Sequence, residues 1–333
     1  MFRYGVGADY FAYNYLYDQA KNSVSEQLIA GSDRDIAYVL ISSVFKSFGL
    51  SYQVFVASVA AVTLFFIYRL CRDYSRRPTL SMFVYYCFFY LTWSFSGYRQ
   101  ALVMTVGMYF FIRWKNKAQK YIPLAVVLSF IHLSAVILLI MYMFSRINIS
   151  FQKLVLFSLI AALLSMLPLQ NLLGYISPTF IDRLNPYVAD GSSGIAYIIK
   201  ILPRIIFLFL GLAVYNSRKT SEKERYYIRA FILGMIFFIA LSSSDLIASR
   251  ISLYGYYYII LVLPLFMSLY VNVTRIKIRA ALYIMFIIIT GLYLIKNGQD
   301  LISQSGIQCT NSCGILPPYT NIFNTDIYTF KKI

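Results

Sequence analysis

The sequence predicts an all-α polytopic membrane protein with roughly 8–10 transmembrane or re-entrant helices, in a single transmembrane domain over residues 1–333. Three observations carry this. Apolar runs of about 20 residues, the length a helix needs to cross a bilayer, recur along the chain. Of the 333 residues 59% are hydrophobic and only 13% charged, against about a quarter charged in soluble domains. Basic residues gather in short loops between the apolar runs, as the positive-inside rule requires. That rule also accounts for most of the net charge of +17, so no nucleic-acid partner is expected.

Residues 1–35 are polar and aromatic, and Met1–Tyr10 lacks the pattern of a cleavable signal peptide. Ile36–Phe48 follows, with Ser42, Ser43, Lys46 and Ser47 grouped at helical spacing, and reads as an amphipathic helix at the membrane interface. The expected membrane segments are 51–70, 79–95, 98–113, 121–144, 151–168, 195–216, 226–247, 251–272 and 279–295. Segment 98–113 is short.

Four basic clusters orient these segments: Arg69/Arg72/Arg76/Arg77, Arg113/Lys115/Lys117/Lys120, Arg218/Lys219/Lys223/Arg225 and Arg275/Lys277/Arg279. Placed in the cytoplasm, they put segment 1–50, the loop at 169–194 and the tail at 296–333 outside it. Crossing parity then conflicts between Lys120 and Asn171 unless one segment does not cross. The favoured solution makes 121–144 a bent or re-entrant hairpin turning at Ile131–Ser134; the alternative is that 98–113 does not cross.

Cys71 and Cys87 lie in or beside apolar runs and read as packing residues, whereas Cys309 and Cys313 sit in the polar tail, where a disulfide could form. With a single His and no Cys/His cluster, no metal site is expected, and no cofactor.

Charges that orientation leaves unexplained are candidate site residues, because ionisable groups at membrane depth are costly. Lys200 and Arg204, four apart, share one face of segment 195–216, with Pro203 between them. Lys200 is equally well placed to snorkel to the interface, and Arg204 lies deeper. Arg99 and Arg250 stand at helix ends, where interfacial anchoring is the plain alternative. With Arg3, Arg34, Arg183 and Arg204 they make six arginines on the side the charge rule disfavours. Their planar, two-pronged guanidinium groups suit a pyrophosphate if they face one cavity.

His132, the only His, is most simply a hydrogen-bonded core residue, yet it falls at the expected bend and could accept a proton. Among the acids, Asp35 could cap a helix, Asp182 could lie in a solvated loop, and Asp245 could pair with Arg250. Asp9 has no evident structural role. Most of the 31 tyrosines suit an interfacial belt; Tyr187 and Tyr254–Tyr258 could instead stack on sugar rings.

Five short motifs, in order, resemble those of EpsG/Wzy-type polysaccharide (O-antigen) polymerases. They are Arg3-Tyr-Gly-Val-Gly-Ala-Asp9-Tyr10 followed by Tyr13; Asp35-Ile-Ala-Tyr38; Tyr98-Arg99-Gln-Ala-Leu102; Ile131-His132-Leu-Ser-Ala135; and Ser249-Arg250 with Tyr254 and Pro264. Each is short, but their order covers most of the chain. Asp35 stands where a Glu is more usual, and the family usually carries a membrane helix ahead of the first motif.

The resemblance implies a multi-span, lipid-sugar-using glycosyltransferase of the bacterial inner membrane, acting on the periplasmic side without nucleotide sugar or metal. Its partners would be undecaprenyl-diphosphate-linked oligosaccharides and membrane lipids, with room for a chain-length regulator protein. In such an enzyme Arg99, Arg204 and Arg250, with Lys200, would hold the diphosphate. Arg3, Arg183, Tyr187 and Tyr254 would shape the glycan site, and His132 or Asp9 would serve the attacking hydroxyl, with Arg250 at the reacting centre. Rival readings are a lipid-linked oligosaccharide flippase, which usually has pseudo-repeated halves that this sequence lacks, an O-antigen ligase, and a secondary transporter.

Overall fold

The computed structural model describes residues 9–31, 36–165, 195–271, 275–304, 307–308 and 329–330. The expectations on Arg3, Arg34, Asp35, Asp182, Arg183, Tyr187, Cys309 and Cys313 lie outside these residues, as does the side chain of Asp245. The chain is an all-α membrane protein. It divides into two compact units, one of Met1–Tyr109, Pro123–Ala135 and Val271–Ile333, the other of Phe110–Ile122 and Val136–Tyr270.

In the first unit, α1 (Tyr10–Gln19) and α2 (Val24–Ala30) precede α3 (Ile36–Ser47). Tyr10, Tyr13 and Tyr17 fall on one stripe of α1 and are its buried residues. They pack with Tyr38, Tyr52, Phe55 and Tyr98 into one core cluster. The end of α3 is a Schellman turn: Gly49 donates to Lys46 O at 2.8 Å and Leu50 to Phe45 O at 3.1 Å, with Gly49 at φ +67°.

The first two residues of the polar stripe of α3 face the protein, whereas Lys46 is half-buried and Ser47 exposed. Ser42 and Ser43 are fully buried and donate to Tyr38 O and Val39 O, while Ile36, Ile41 and Val44 are exposed. A helix lying against lipid does this, because lipid competes for apolar side chains and not for hydroxyls.

The long apolar helix α4 (Tyr52–Tyr74) comes next. Pro78 starts α5 (Pro78–Tyr85), which runs through a π-helical stretch, Tyr86–Tyr90, into α6 (Leu91–Trp93). α7 (Tyr98–Arg113) matches the expected bounds of the short segment.

The helix breaks at the position expected for the hairpin turn. α8 (Ala118–Ile131) stops at His132, a 3₁₀ turn covers Leu133–Val136, and α9 (Ile137–Arg146) resumes. A 14-residue helix spans roughly 21 Å, short of a 30 Å hydrocarbon core.

The second unit also holds α10 (Phe151–Leu164), α11 (Ile195–Asn216), α12 (Glu222–Ala240), α13 (Asp245–Tyr256) and α14 (Ile259–Tyr270). A capping box between Ser221 and Glu224 starts α12, whose residues are buried almost all round, so it is the central helix of this unit. The expected segments 226–247 and 251–272 differ from what forms. The helix ends at Ala240, restarts at Asp245, and bends by 50° between α13 and α14. Pro264 offers no N–H to the Ile260 carbonyl just past that bend.

The first unit closes with α15 (Ile276–Gln304), longer than the expected 279–295, and a two-residue antiparallel pairing of β1 (Ile307–Gln308) with β2 (Thr329–Phe330). Among the described residues α4 and α15 are each long and apolar enough to cross a membrane, and the bent pair α13–α14 qualifies as one broken span.

Candidate functional site

Arg99 is the best-defined candidate. It opens α7, and its guanidinium carbon stands 4.3 Å from the Tyr13 ring centroid and 4.9 Å from that of Tyr38. Each contact contributes about 0.5–2 kcal/mol. The cage is tied together by hydrogen bonds. Tyr38 donates to Tyr13 O at 3.0 Å and pairs with the Tyr98 hydroxyl at 2.9 Å, Tyr52 donates to Tyr10 O at 3.1 Å, and Gln53 donates to the Tyr10 hydroxyl.

Asp9 joins through Tyr13, whose hydroxyl donates to its Oδ2 at 3.3 Å. Burial pushes the Tyr13 phenol up, Arg99 pulls it down, and Asp9 pushes it up again. Burial pushes Tyr38 up to about 12, against the downward pull of the Tyr98 hydroxyl and of Arg99. Both rings are therefore neutral at physiological pH. They offer uncharged ring faces to the guanidinium.

Tyr10, Tyr17 and Tyr52, which share a core cluster with the cage tyrosines, line an open cleft of about 780 Å³ edged by Asn14, Asp18, Asn22, Ser51 and Gln53. Lys46 holds its rim by donating to Asp18 O at 2.9 Å and Ala20 O at 2.6 Å. His132 lies in the same unit as Arg99, half-buried, with its backbone N–H closing the end of α8 onto Leu128 O at 3.1 Å. Its neighbour Ile131 lines a cavity that Arg99 also lines.

The other candidates belong to the second unit. Arg204 is half-buried, its guanidinium carbon 4.0 Å from the Tyr256 ring and 4.8 Å from Phe238. Lys200 and Arg250 are exposed. Tyr254, Tyr257 and Tyr258, among the tyrosines expected to stack on sugar rings, are fully buried in the core of this unit. Cys71 and Cys87 are buried thiols, as read from the sequence. Among the described residues no cluster of three or more His, Cys, Asp or Glu could hold a metal ion.

Sequence reasoning missed the caging role of Tyr13 and Tyr38, although the stripe Tyr10, Tyr13, Tyr17 was readable at i, i+3, i+7. It also missed Arg229, which is buried in α12 and donates from Nε to Ser145 O at 2.9 Å, satisfying a terminal carbonyl of α9.

The fold and the site define an all-α membrane protein with an aromatic-caged arginine in its first unit. Comparison with known families makes this particular: the family model described as the EpsG family matches residues 1–309, and the chain belongs to that family. The family is one of glycosyltransferase-like polysaccharide polymerases. No curated protein and no solved structure matches the chain.

Proposed function

We propose that the chain polymerises undecaprenyl-diphosphate-linked oligosaccharide repeat units into O-antigen or another surface polysaccharide, at the periplasmic face of the bacterial inner membrane. The observation that carries this is the caged Arg99, held by Tyr13 and Tyr38 of the first two family-like motifs and linked to Asp9 through Tyr13. The four basic clusters support the orientation through the positive-inside rule.

In the reaction, a hydroxyl of the acceptor repeat unit attacks the anomeric carbon of the donor glycan. A new C–O bond forms, the bond to the diphosphate breaks, and undecaprenyl diphosphate leaves. The hydroxyl proton passes to His132 or Asp9, both in the unit that holds Arg99. Arg99 stabilises the charge that grows on the leaving diphosphate; a fixed cation in a low-dielectric site needs no reorganisation during the step. The cleft edged by Asn14, Asp18, Asn22 and Gln53 offers carboxamide and carboxylate groups to glycan hydroxyls.

The test is complementation of a deletion strain, scored as a gel ladder of surface glycan at matched protein level. Deletion should leave a single repeat unit on the surface; loss of a flippase or a ligase would leave none. Arg99→Ala, His132→Ala and Arg250→Ala should each lose the ladder. Full-length ladders from all three variants would overturn the reading.

A further inference from the structure

The path from Pro78 to Arg99 carries one irregularity, the π-helical stretch Tyr86–Tyr90. The stretch contains no Pro or Gly that would force it. A π turn holds one residue more than an α turn, and carbonyls beside it lose the partners an α-helix would give them. In apolar surroundings such carbonyls need a side chain to meet them. Asn297 does so. Buried in α15, it donates from Nδ2 to Cys87 O at 2.7 Å and to Phe88 O at 3.0 Å, which uses both protons of its amide.

Asn297 belongs to a stripe of α15 at i, i+4 and i+8 that follows this path. Tyr293 stacks on Phe88, with ring centroids 4.1 Å apart and planes 15° from parallel. Leu301 forms a small core with Phe95, against which Tyr90 and Leu91 pack. Lys296 and Asp300 turn away from the stripe and pair at 2.7 Å on the exposed side.

The chain after the π turn is short and tied. The Tyr85 and Ser94 hydroxyls share a hydrogen bond of 2.7 Å, which joins the chain before the turn to the chain after it. Ser96 N–H donates to Thr92 O at 2.9 Å. Gly97 lies against the Trp93 ring, where an added Cβ would come within 2.9 Å of Cε3. Next come Tyr98, whose hydroxyl pairs with that of Tyr38, and Arg99, which the Tyr13 and Tyr38 rings face. Only the turn at residues 94–97 lies between α6 and α7, too short to absorb a change of register. Were the stretch to relax into α-helix, the residues after it would turn by about 100° and shift by about 1.5 Å along the axis. A displacement of that size parts the guanidinium from ring centroids 4.3 and 4.9 Å away.

We infer that Asn297 is a positioning residue for Arg99: its carboxamide holds the π turn, and the π turn sets the register at which α7 delivers Arg99 to the tyrosine cage. The placement stands on geometry alone; its effect on glycan length rests on the polymerase reading.

The experiment puts 3-fluorotyrosine in place of Tyr38 in the whole protein in detergent micelles and reads the fluorine resonance, which depends on whether the guanidinium lies against the ring. Arg99→Ala gives the reference for a cage without its cation. Asn297→Leu keeps the volume but not the donors, and its resonance should move most of the way to that reference. Thr290→Val is the control on the same helix. It removes a buried hydroxyl that bonds within α15, to Phe286 O and Ile287 O, and should leave the resonance where the unmutated protein has it. If Asn297→Leu does not fold, Asn297→Asp takes its place: of equal size, it offers at most one proton to two carbonyls and should give a resonance between the two.

An unmoved resonance in Asn297→Leu, or in Asn297→Asp used in its place, overturns the inference. So does an equal shift in Thr290→Val, which would make the effect a general loosening of α15. In the ladder assay Asn297→Leu should lose polymer above a single repeat by about tenfold to a hundredfold, the cost of a misplacement of about 1 Å. A shifted resonance with a full ladder would sink the part that the polymerase reading gives to Arg99 and leave the positioning standing. A lost ladder with an unmoved resonance would sink the positioning alone.

Discussion

Adding one methyl group at Gly255 should be among the more damaging small changes in the second unit. A Cβ there would lie 2.5 Å from Gly234 Cα, 2.6 Å from Ala230 O and 2.7 Å from Gly234 N. All three are backbone atoms of α12, so no rotamer change relieves the clash. Carbon contacts are optimal near 3.5–4.0 Å, so α12 and α13 must separate by about 1 Å. Such a gap forfeits a quarter to a half of the dispersion across the crossing, and overpacking of this kind costs about 1–3 kcal/mol. The helix propensity of Ala returns up to about 1 kcal/mol, leaving a net loss of about 1–2 kcal/mol.

Gly291 is the matched control. It lies inside α15, and a methyl group added there would meet nothing within 4 Å, so Gly291→Ala should stabilise by about 0.5–1 kcal/mol. Reversible unfolding in mixed detergent should separate the two variants by about 1.5–3 kcal/mol. Agreement within about 0.5 kcal/mol, the spread of neutral surface changes, would refute the reasoning. The crossing also bears on the charged site of this unit. Tyr256 follows Gly255, and Phe238 lies one turn beyond Gly234, so opening the crossing parts the two rings that hold Arg204.

Two further outcomes follow from the first unit. Tyr38, raised from 10.0 to about 12, favours the folded state while protonated; that contribution is complete below pH 10 and is lost as pH rises toward 12. A rise from 10.0 to about 12 corresponds to about 2.7 kcal/mol, so stability should fall across that window. Tyr38→Phe should flatten the fall while costing about 1–2 kcal/mol at neutral pH for the lost hydrogen bonds; an unchanged alkaline slope in Tyr38→Phe would count against the buried cage. Asn297, buried in α15, donates from Nδ2 to Cys87 O at 2.7 Å and Phe88 O at 3.0 Å, inside the π-helical stretch. Asn297→Leu should cost about 1–2 kcal/mol and speed maleimide labelling of Cys87, and an unchanged labelling rate would show that the stretch does not depend on this side chain.

What the sequence made legible, and what it hid, follows from one physical difference between lipid and water as surroundings. Helix lengths were readable where polar residues bound an apolar run, as for Tyr98–Arg113 and Ile195–Asn216. The break at His132 was readable from the sidedness of the basic loops. The inward face of a helix was harder to read, because apolar residues face lipid and protein alike, and hydrophobic periodicity loses its direction. Ile41 and Val44 are exposed while Ser42 and Ser43 are fully buried, the reverse of a helix in water. In this chain the polar residues within apolar segments mark the interior. Ser42, Ser43, Thr63, Arg229, Thr290 and Asn297 are all buried. Each of them donates to a backbone carbonyl, the partner a helical protein always has to offer at membrane depth. Arg99 follows another rule, since aromatic faces from elements far apart in sequence meet around its guanidinium. Sequence spacing could nominate the charge, but only the fold could supply the rings that hold it.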